Sequence, residues 1–171
     1  MAACRALFLQ KARDYGTAWR ILRMPSVTDQ ILIKAERIRS LQEKGVNLVG
    51  EDERAEFVGI INYCVIALML LDLQAGTETA DLDDLEQLAA AYDARIGQAY
   101  ATMAKKNHDY GEAWRKMRIS SMTDLILMKI HRLKQIEDNA GKTLVSEGAA
   151  ANYIDMLNYA AFCLILLDES A

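Results

Sequence analysis

Glu147, Asp155 and Asn158 stand at spacings of eight and three, so on a helix they line up as one polar stripe. Their neighbours Tyr153, Ile154, Met156, Leu157 and Tyr159 are apolar or aromatic. A carboxylate in such surroundings needs a cationic partner or a metal ion, because an unpaired charge there carries a large desolvation cost. Upstream, Asp124 and Arg132 are eight apart, with Lys129 one turn before Arg132, so one helix face carries an acid at its start and two cations further on. Two chemistries are open to these residues. They can form a buried ion-pair network, or two carboxylates facing Lys and Arg can hold Mg2+ together with phosphate oxygens, the all-oxygen coordination that ion prefers.

The elements that position these residues occur twice, because the chain resembles itself at a separation of about 95 residues. Lys-x-x-Asp-Tyr-Gly-x-Ala-Trp-Arg-x-x-Arg spans 11–23 and recurs at 106–118. Ser-x-Thr-Asp-x-Ile-Leu-x-Lys-x-x-Arg spans 26–37 and recurs at 121–132, and Asn62-Tyr63 recurs as Asn158-Tyr159. Among the polar positions, Lys11/Lys106, Asp14/Asp109, Arg20/Arg115, Asp29/Asp124, Lys34/Lys129, Arg37/Arg132, Glu51/Glu147 and Asn62/Asn158 match, whereas solvent-facing pairs such as Glu36/His131 and Arg54/Ala150 have diverged. Asp155 is matched by Gly59, and the nearby Glu56 lies six before Asn62, rotated off the stripe. Repeat 2 is therefore expected to be the chemically competent half, with Lys34 and Arg37 of repeat 1 lending support to a ligand.

Each copy reads as a leading helix, a turn at Asp-Tyr-Gly, a short helix around Ala-Trp-Arg and two longer helices. Thr28 and Thr123 are expected as N-caps, each followed by an Asp in the first turn. The longer helices are placed at about 29–43 and 52–73 in repeat 1 and at 124–138 and 147–168 in repeat 2, with Gly45 and Gly141 closing the third helix of each copy. Repeat 1 takes 1–73, an acidic small-residue linker 74–84, and repeat 2 takes 85–171. Neither module buries its apolar face alone, so the expected architecture is an all-α helical bundle in which tandem repeats dock about a pseudo-twofold axis as one domain.

Composition narrows the function. A net charge of −4 removes the electrostatic reason to bind bulk nucleic acid or an anionic membrane. A single Pro among 171 residues suits long helices. The apolar run 57–71 is about 15 residues long, below the roughly 18 of a membrane span, and is expected to be a core helix. Cys4, Cys64 and Cys163 have no metal-ligand spacing and the apolar stretch 6–9 is too short for a signal-peptide core, so the cysteines are expected to be reduced and the chain to be cytoplasmic. His108 and His131 have no partner for a zinc site, and no phosphate loop or nucleophile motif occurs. Trp19 and Trp114 suit the core, although an aromatic ring beside a cationic stripe can also hold a nucleobase.

The motifs Lys-x-x-Asp-Tyr-Gly-x-Ala-Trp, Thr-Asp-x-Ile-x-x-Lys-x-x-Arg and Asn-Tyr resemble those of the nucleotide modification associated domain 1 family, once per repeat. That resemblance implies an all-α module acting on or near nucleotides. More distantly, Asp155-Met156-Leu157-Asn158-Tyr159 resembles the second acidic motif of MazG-type all-α NTP pyrophosphatases and all-α dUTPases, whose first motif is a Glu-x-x-Glu pair absent here. It implies a Mg2+-dependent pyrophosphatase or phosphohydrolase acting on an NTP or a related heterocyclic triphosphate. In that case Glu147, Asp155 and Asp124 ligate Mg2+ and carry catalysis, while Lys106, Lys129 and Arg132 neutralise phosphates. Tyr110, Trp114 and Asn158 then contact base or sugar, supported by Lys34 and Arg37. The alternative expectation is a noncatalytic helical module that binds a nucleotide or a partner protein, with a homodimer as one form open to it.

Overall fold

The computed structural model describes residues 1–44, 52–142 and 147–170. Six α-helices make up the architecture, and no strand occurs among the described residues. Repeat 1 supplies α1 (Ala2–Tyr15), α2 (Met24–Lys44) and α3 (Glu53–Ala75), and repeat 2 supplies α4 (Leu85–Tyr110), α5 (Ile119–Asp138) and α6 (Ala149–Glu169). A short 3-10 turn carries each Ala-Trp-Arg segment, at Ala18–Ile21 and Ala113–Lys116. The Asp-Tyr-Gly corners end α1 and α4, with Gly16 at φ 63° and Gly111 at φ 60°, a left-handed conformation that costs glycine little.

Local chemistry sets the starts of the long helices. Asp52 and Asp84 cap α3 and α4 by accepting from the amides of Ala55 (3.0 Å) and Gln87 (2.8 Å). Thr28 and Thr123 do not cap α2 and α5, which begin four residues earlier, at Met24 and Ile119. Pro25 fits the first turn of α2, where a missing N–H has no helical acceptor to serve. The Thr123 hydroxyl instead donates back to the carbonyl of Ile119 (3.1 Å), while Thr28 gives its one proton to Glu137 of the other repeat (2.6 Å). Gly45 and Glu51 lie outside the described residues, and Gly141, at φ 79°, follows the end of α5.

Packing follows the duplication. Within each repeat α2 packs on α3 and α5 on α6, and across the molecule α2 meets α5 and α3 meets α6. Each of these helices touches its own counterpart, as a pseudo-twofold relation requires. The polar contacts at the centre are reciprocal as well. Thr28 of repeat 1 donates to Glu137 of repeat 2 (2.6 Å), and the corresponding Gln42 of repeat 1 donates to Thr123 of repeat 2 (3.2 Å). Helices α3 and α6 are long and apolar enough to cross a membrane by length and composition. Here they form the middle of the bundle, with Phe57, Ile60, Ile61, Met69, Tyr153, Met156 and Cys163 buried.

The leading helices α1 and α4 lie against this centre and hold the walls of the candidate sites. Asn62 Nδ2 donates to the Cys4 carbonyl on α1 and Asn158 Nδ2 to the Ala99 carbonyl on α4, both at 3.1 Å. The paired asparagines therefore fasten the leading helices to α3 and α6, which accounts for their presence in both copies. The linker is anchored too, through Arg95, which reaches Asp72 (2.8 Å) and Glu78 (2.5 Å).

Glu137 yields a testable consequence. Burial raises its pKa above the ordinary carboxylate value, only partly offset by the hydrogen bond it accepts from Thr28. Its folded form thus binds the proton more tightly than the unfolded chain, so stability falls as pH rises from the ordinary Glu value through the raised one. Glu137→Gln, which copies the natural residue at position 42, is expected to flatten that part of the stability profile and to be the more stable protein at neutral pH. Chemical denaturation at a series of pH values checks this, and parallel profiles for the two proteins would contradict it.

Candidate functional site

The two copies place corresponding residues around corresponding hollows, each between a leading helix and the last long helix of its repeat, α1 with α3 and α4 with α6. In repeat 2, Asp155 projects from α6 and receives Lys106 Nζ from α4 and Lys129 Nζ from α5, each at 2.6 Å and one on each carboxylate oxygen. The side chains of Asp155 and Lys129 are both only 10% exposed, whereas that of Lys106 is 54% exposed. Burial pushes the Asp155 carboxyl upward, but the hydrogen bonds and charges of Lys106 and Lys129 outweigh it and leave the pKa lowered. Burial likewise works against the Lys106 ammonium, and Asp155 more than offsets it, with Tyr159 and Glu147 adding in the same direction.

The expected site residues of repeat 2 are only partly gathered. Lys106, Lys129, Asp155 and Asn158 meet, and Glu147 is exposed beside them, close enough for its charge to act on Lys106. Asp124 is elsewhere, exposed and paired with Arg39 at 3.5 Å. Arg132 is exposed and makes no ion pair with a described carboxylate, since Asn152 stands where repeat 1 has an acid. Tyr110 is 77% exposed. Trp114 is buried, stacked on Phe162 with centroids 4.3 Å apart, and the Arg115 guanidinium lies 4.5 Å from its ring centroid. It packs as a core ring. What remains open is a cleft of about 60 Å³ lined by Lys106, Asn107, Asp155, Asn158 and Tyr159 among others.

Repeat 1 is arranged differently. A cavity of about 440 Å³ is lined by Lys11, Tyr15 and Trp19 on one side and by Lys34, Glu56, Gly59, Asn62, Tyr63 and Ile66 on the other. The difference in volume has two visible sources. Gly59 stands where repeat 2 has Asp155, and Ile66 stands where it has Phe162, so neither the carboxylate nor the stacked ring fills the space. Trp19 is correspondingly only partly buried.

Glu56, which the spacing placed off the stripe, nevertheless supplies the acid of this copy. It sits one turn before Gly59 on α3, and its longer side chain receives Lys34 Nζ (3.1 Å) and the Arg37 guanidinium (2.8 Å). The acid has in effect exchanged places: Glu56 with Gly59 in repeat 1, Asn152 with Asp155 in repeat 2. That exchange was the sequence signal for Glu56. Lys11 lines the cavity and has no carboxylate within ion-pair distance among the described residues. Lys11 and Lys34 are the cations of the cavity lining and Glu56 is the acid among those lining residues, so the lining is formally cationic.

A Mg2+ ion takes several oxygen donors, usually including one or two carboxylates. Each hollow offers one buried carboxylate whose oxygens are already engaged by cations, and among the described residues no group of three His, Cys, Asp or Glu side chains comes together to hold a metal. As arranged, the donors do not fit the ion that the pyrophosphatase resemblance implied.

Neither a curated protein nor a solved structure matches the chain. The nucleotide modification associated domain 1 family matches residues 11–71 and again residues 106–167, one matched segment within each structural repeat. The two segments take up well over half of the chain, which therefore belongs to the nucleotide modification associated domain 1 family and carries its domain in tandem.

Proposed function

We propose that the protein is a helical nucleotide-binding module whose ligand sits in the repeat 1 cavity. The observation that carries this reading is the cavity itself: about 440 Å³, bounded by aromatic rings from Tyr15, Trp19 and Tyr63 and by the ammonium groups of Lys11 and Lys34. Its volume falls in the range of roughly 300–1,000 Å³ usual for small-molecule sites. Flat rings suit a base, because aromatic faces accept any nucleobase by stacking, and the surplus of cations suits a phosphate. The name of the family, which concerns nucleotide modification, points to the same class of ligand. Repeat 2 serves as scaffold in this account, with its acid and its two lysines satisfied by one another.

The competing outcome is Mg2+-dependent hydrolysis of a nucleoside or pterin triphosphate at the stripe of Glu147 and Asp155. It requires Lys106 and Lys129 to give up the carboxylate that they hold. A thermal-shift panel of nucleoside and pterin triphosphates, with and without Mg2+, followed by product analysis, separates the two. A ligand at 100 times its dissociation constant adds about 2.7 kcal/mol to stability. Stabilisation by a nucleotide without Mg2+ and without turnover is the expected result. Release of pyrophosphate or phosphate only with Mg2+ would replace the binding module with an enzyme.

A further inference from the structure

The duplication supplies an internal comparison for the repeat 1 cavity. In repeat 2 one carboxylate is held between two ammonium groups, with Lys106 and Lys129 each 2.6 Å from Asp155. Repeat 1 keeps both lysines, as Lys11 and Lys34, and places both on the wall of the cavity. At the position of Asp155 it has Gly59, and its own acid, Glu56, stands one turn earlier. A Cβ built on Gly59 would lie 2.5 Å from Lys34 Cε, 2.7 Å from its Cδ and 3.0 Å from its Nζ, so the flexible end of the lysine rests over the bare glycine and swings aside to admit a group there. Glu56 neutralises Lys34 from the preceding turn, and Lys11 is left without a carboxylate among the described residues.

We propose that the wall beside Gly59 is an oxyanion subsite, in which a terminal phosphate or carboxylate of a small ligand lies between Lys11 and Lys34 as Asp155 lies between Lys106 and Lys129. Repeat 2 is then the same site filled by its own side chain. This rests on the reading of the cavity as a ligand site and adds the chemistry of the ligand. One end is a compact anion small enough to stand where an Asp carboxylate stands, and the other is a ring reaching towards Tyr15 and Trp19. The ammonium groups carry the recognition, because hydrogen bonds to ionised groups are about twice as strong as neutral ones.

The test is a titration of the full chain, followed by NMR, with four probes: inorganic phosphate, acetate, adenosine monophosphate and adenosine. In the wild type, phosphate or acetate should shift the Gly59 amide and the Lys11 side-chain signals, and whichever binds more tightly names the source of the anion. The monophosphate should bind about tenfold or more tightly than adenosine. Gly59→Asp installs the carboxylate of repeat 2 and should lose anion and monophosphate binding by about the same factor. Its melting temperature should stay at or above that of Gly59→Asn, which adds the same bulk without the charge. Should Gly59→Asp fail to fold, Lys11→Met, a change at an exposed side chain, should show the same loss of binding. Anion binding undiminished in Gly59→Asp and Lys11→Met, or no response to either anion, would overturn the subsite. Adenosine binding next to Trp19 as tightly as the monophosphate would remove the subsite while keeping the nucleotide reading. Phosphate or acetate bound at Gly59 with no response to either adenosine compound would keep the subsite and remove the nucleotide.

Discussion

Asp155→Ala is expected to destabilise the protein by roughly 3 kcal/mol, because it leaves the Lys129 ammonium buried without its carboxylate. Breaking a buried pair by removing one partner costs roughly 3–5 kcal/mol, and the lower end applies because Lys106, being half exposed, can regain water. For a chain of this size a loss of that order lowers the melting temperature by roughly 6–12 °C. The double change Asp155→Leu with Lys129→Met removes both charges and should recover most of the loss. A metal ligand at the same position would behave differently, since its removal would spare the fold and abolish turnover. Denaturation curves of the single and double variants decide between these roles, and an Asp155→Ala protein as stable as the wild type would contradict the pairing role. The same ion pair gives a pH signature. The lowered pKa of Asp155 means that its contribution is present above the ordinary Asp range and is lost as pH falls through the lowered value, so the wild type should lose more stability in acid than the double variant.

The second large effect concerns binding. Tyr15 and Tyr110 are counterparts at the two Asp-Tyr-Gly corners, and both are exposed, at 58% and 77%. Tyr15 lines the large cavity and Tyr110 does not line the small one. Loss of a base-stacking ring typically costs about 1–3 kcal/mol, so Tyr15→Ala should weaken nucleotide binding by roughly tenfold or more with little change in stability. Tyr110→Ala should leave both properties unchanged. Affinities measured by calorimetry for the two variants check this, and equal losses would show that the repeats bind alike.

Much of the architecture was legible because duplication writes each element twice. The corner glycines, the Trp turns and the four long helices all appeared as matched motifs, and the reciprocal contacts of Thr28 with Glu137 and of Gln42 with Thr123 show why the matched helices dock as a pair. Helix starts were less legible. Thr28 and Thr123 have the chemistry of N-caps, but a buried Thr inside the first turns can satisfy its hydroxyl on the carbonyl four residues back, as Thr123 does, or on a facing helix, as Thr28 does on Glu137, and Pro25 allows α2 to begin ahead of Thr28.

At the candidate site, spacing placed Asp155 and Asn158 on one face of a helix but could not say what faces them. Lys106 lies 49 residues from Asp155 in the chain, and only the docking of α4 brings its ammonium onto the carboxylate. Asn158 carries an assignment that its structure explains more simply, as the fastening of α4 through the Ala99 carbonyl. The repeat 1 cavity was not legible for a related reason. Gly59 looked like a lost acid, whereas a cavity is a property of side chains that are absent, and its volume depends on Gly59 and Ile66 standing where Asp155 and Phe162 fill the other copy.

The two tryptophans give each repeat its own reporter, since Trp19 lines the large cavity and Trp114 is buried against Phe162. The most direct test of the central claim is a titration of 15N-labelled protein with ATP, GTP, CTP and UTP while the two indole N–H resonances are followed. A nucleotide seated in the repeat 1 cavity predicts that the Trp19 signal moves and saturates while the Trp114 signal stays in place. Movement of Trp114 alone, or of neither signal with any of the four nucleotides, would contradict it.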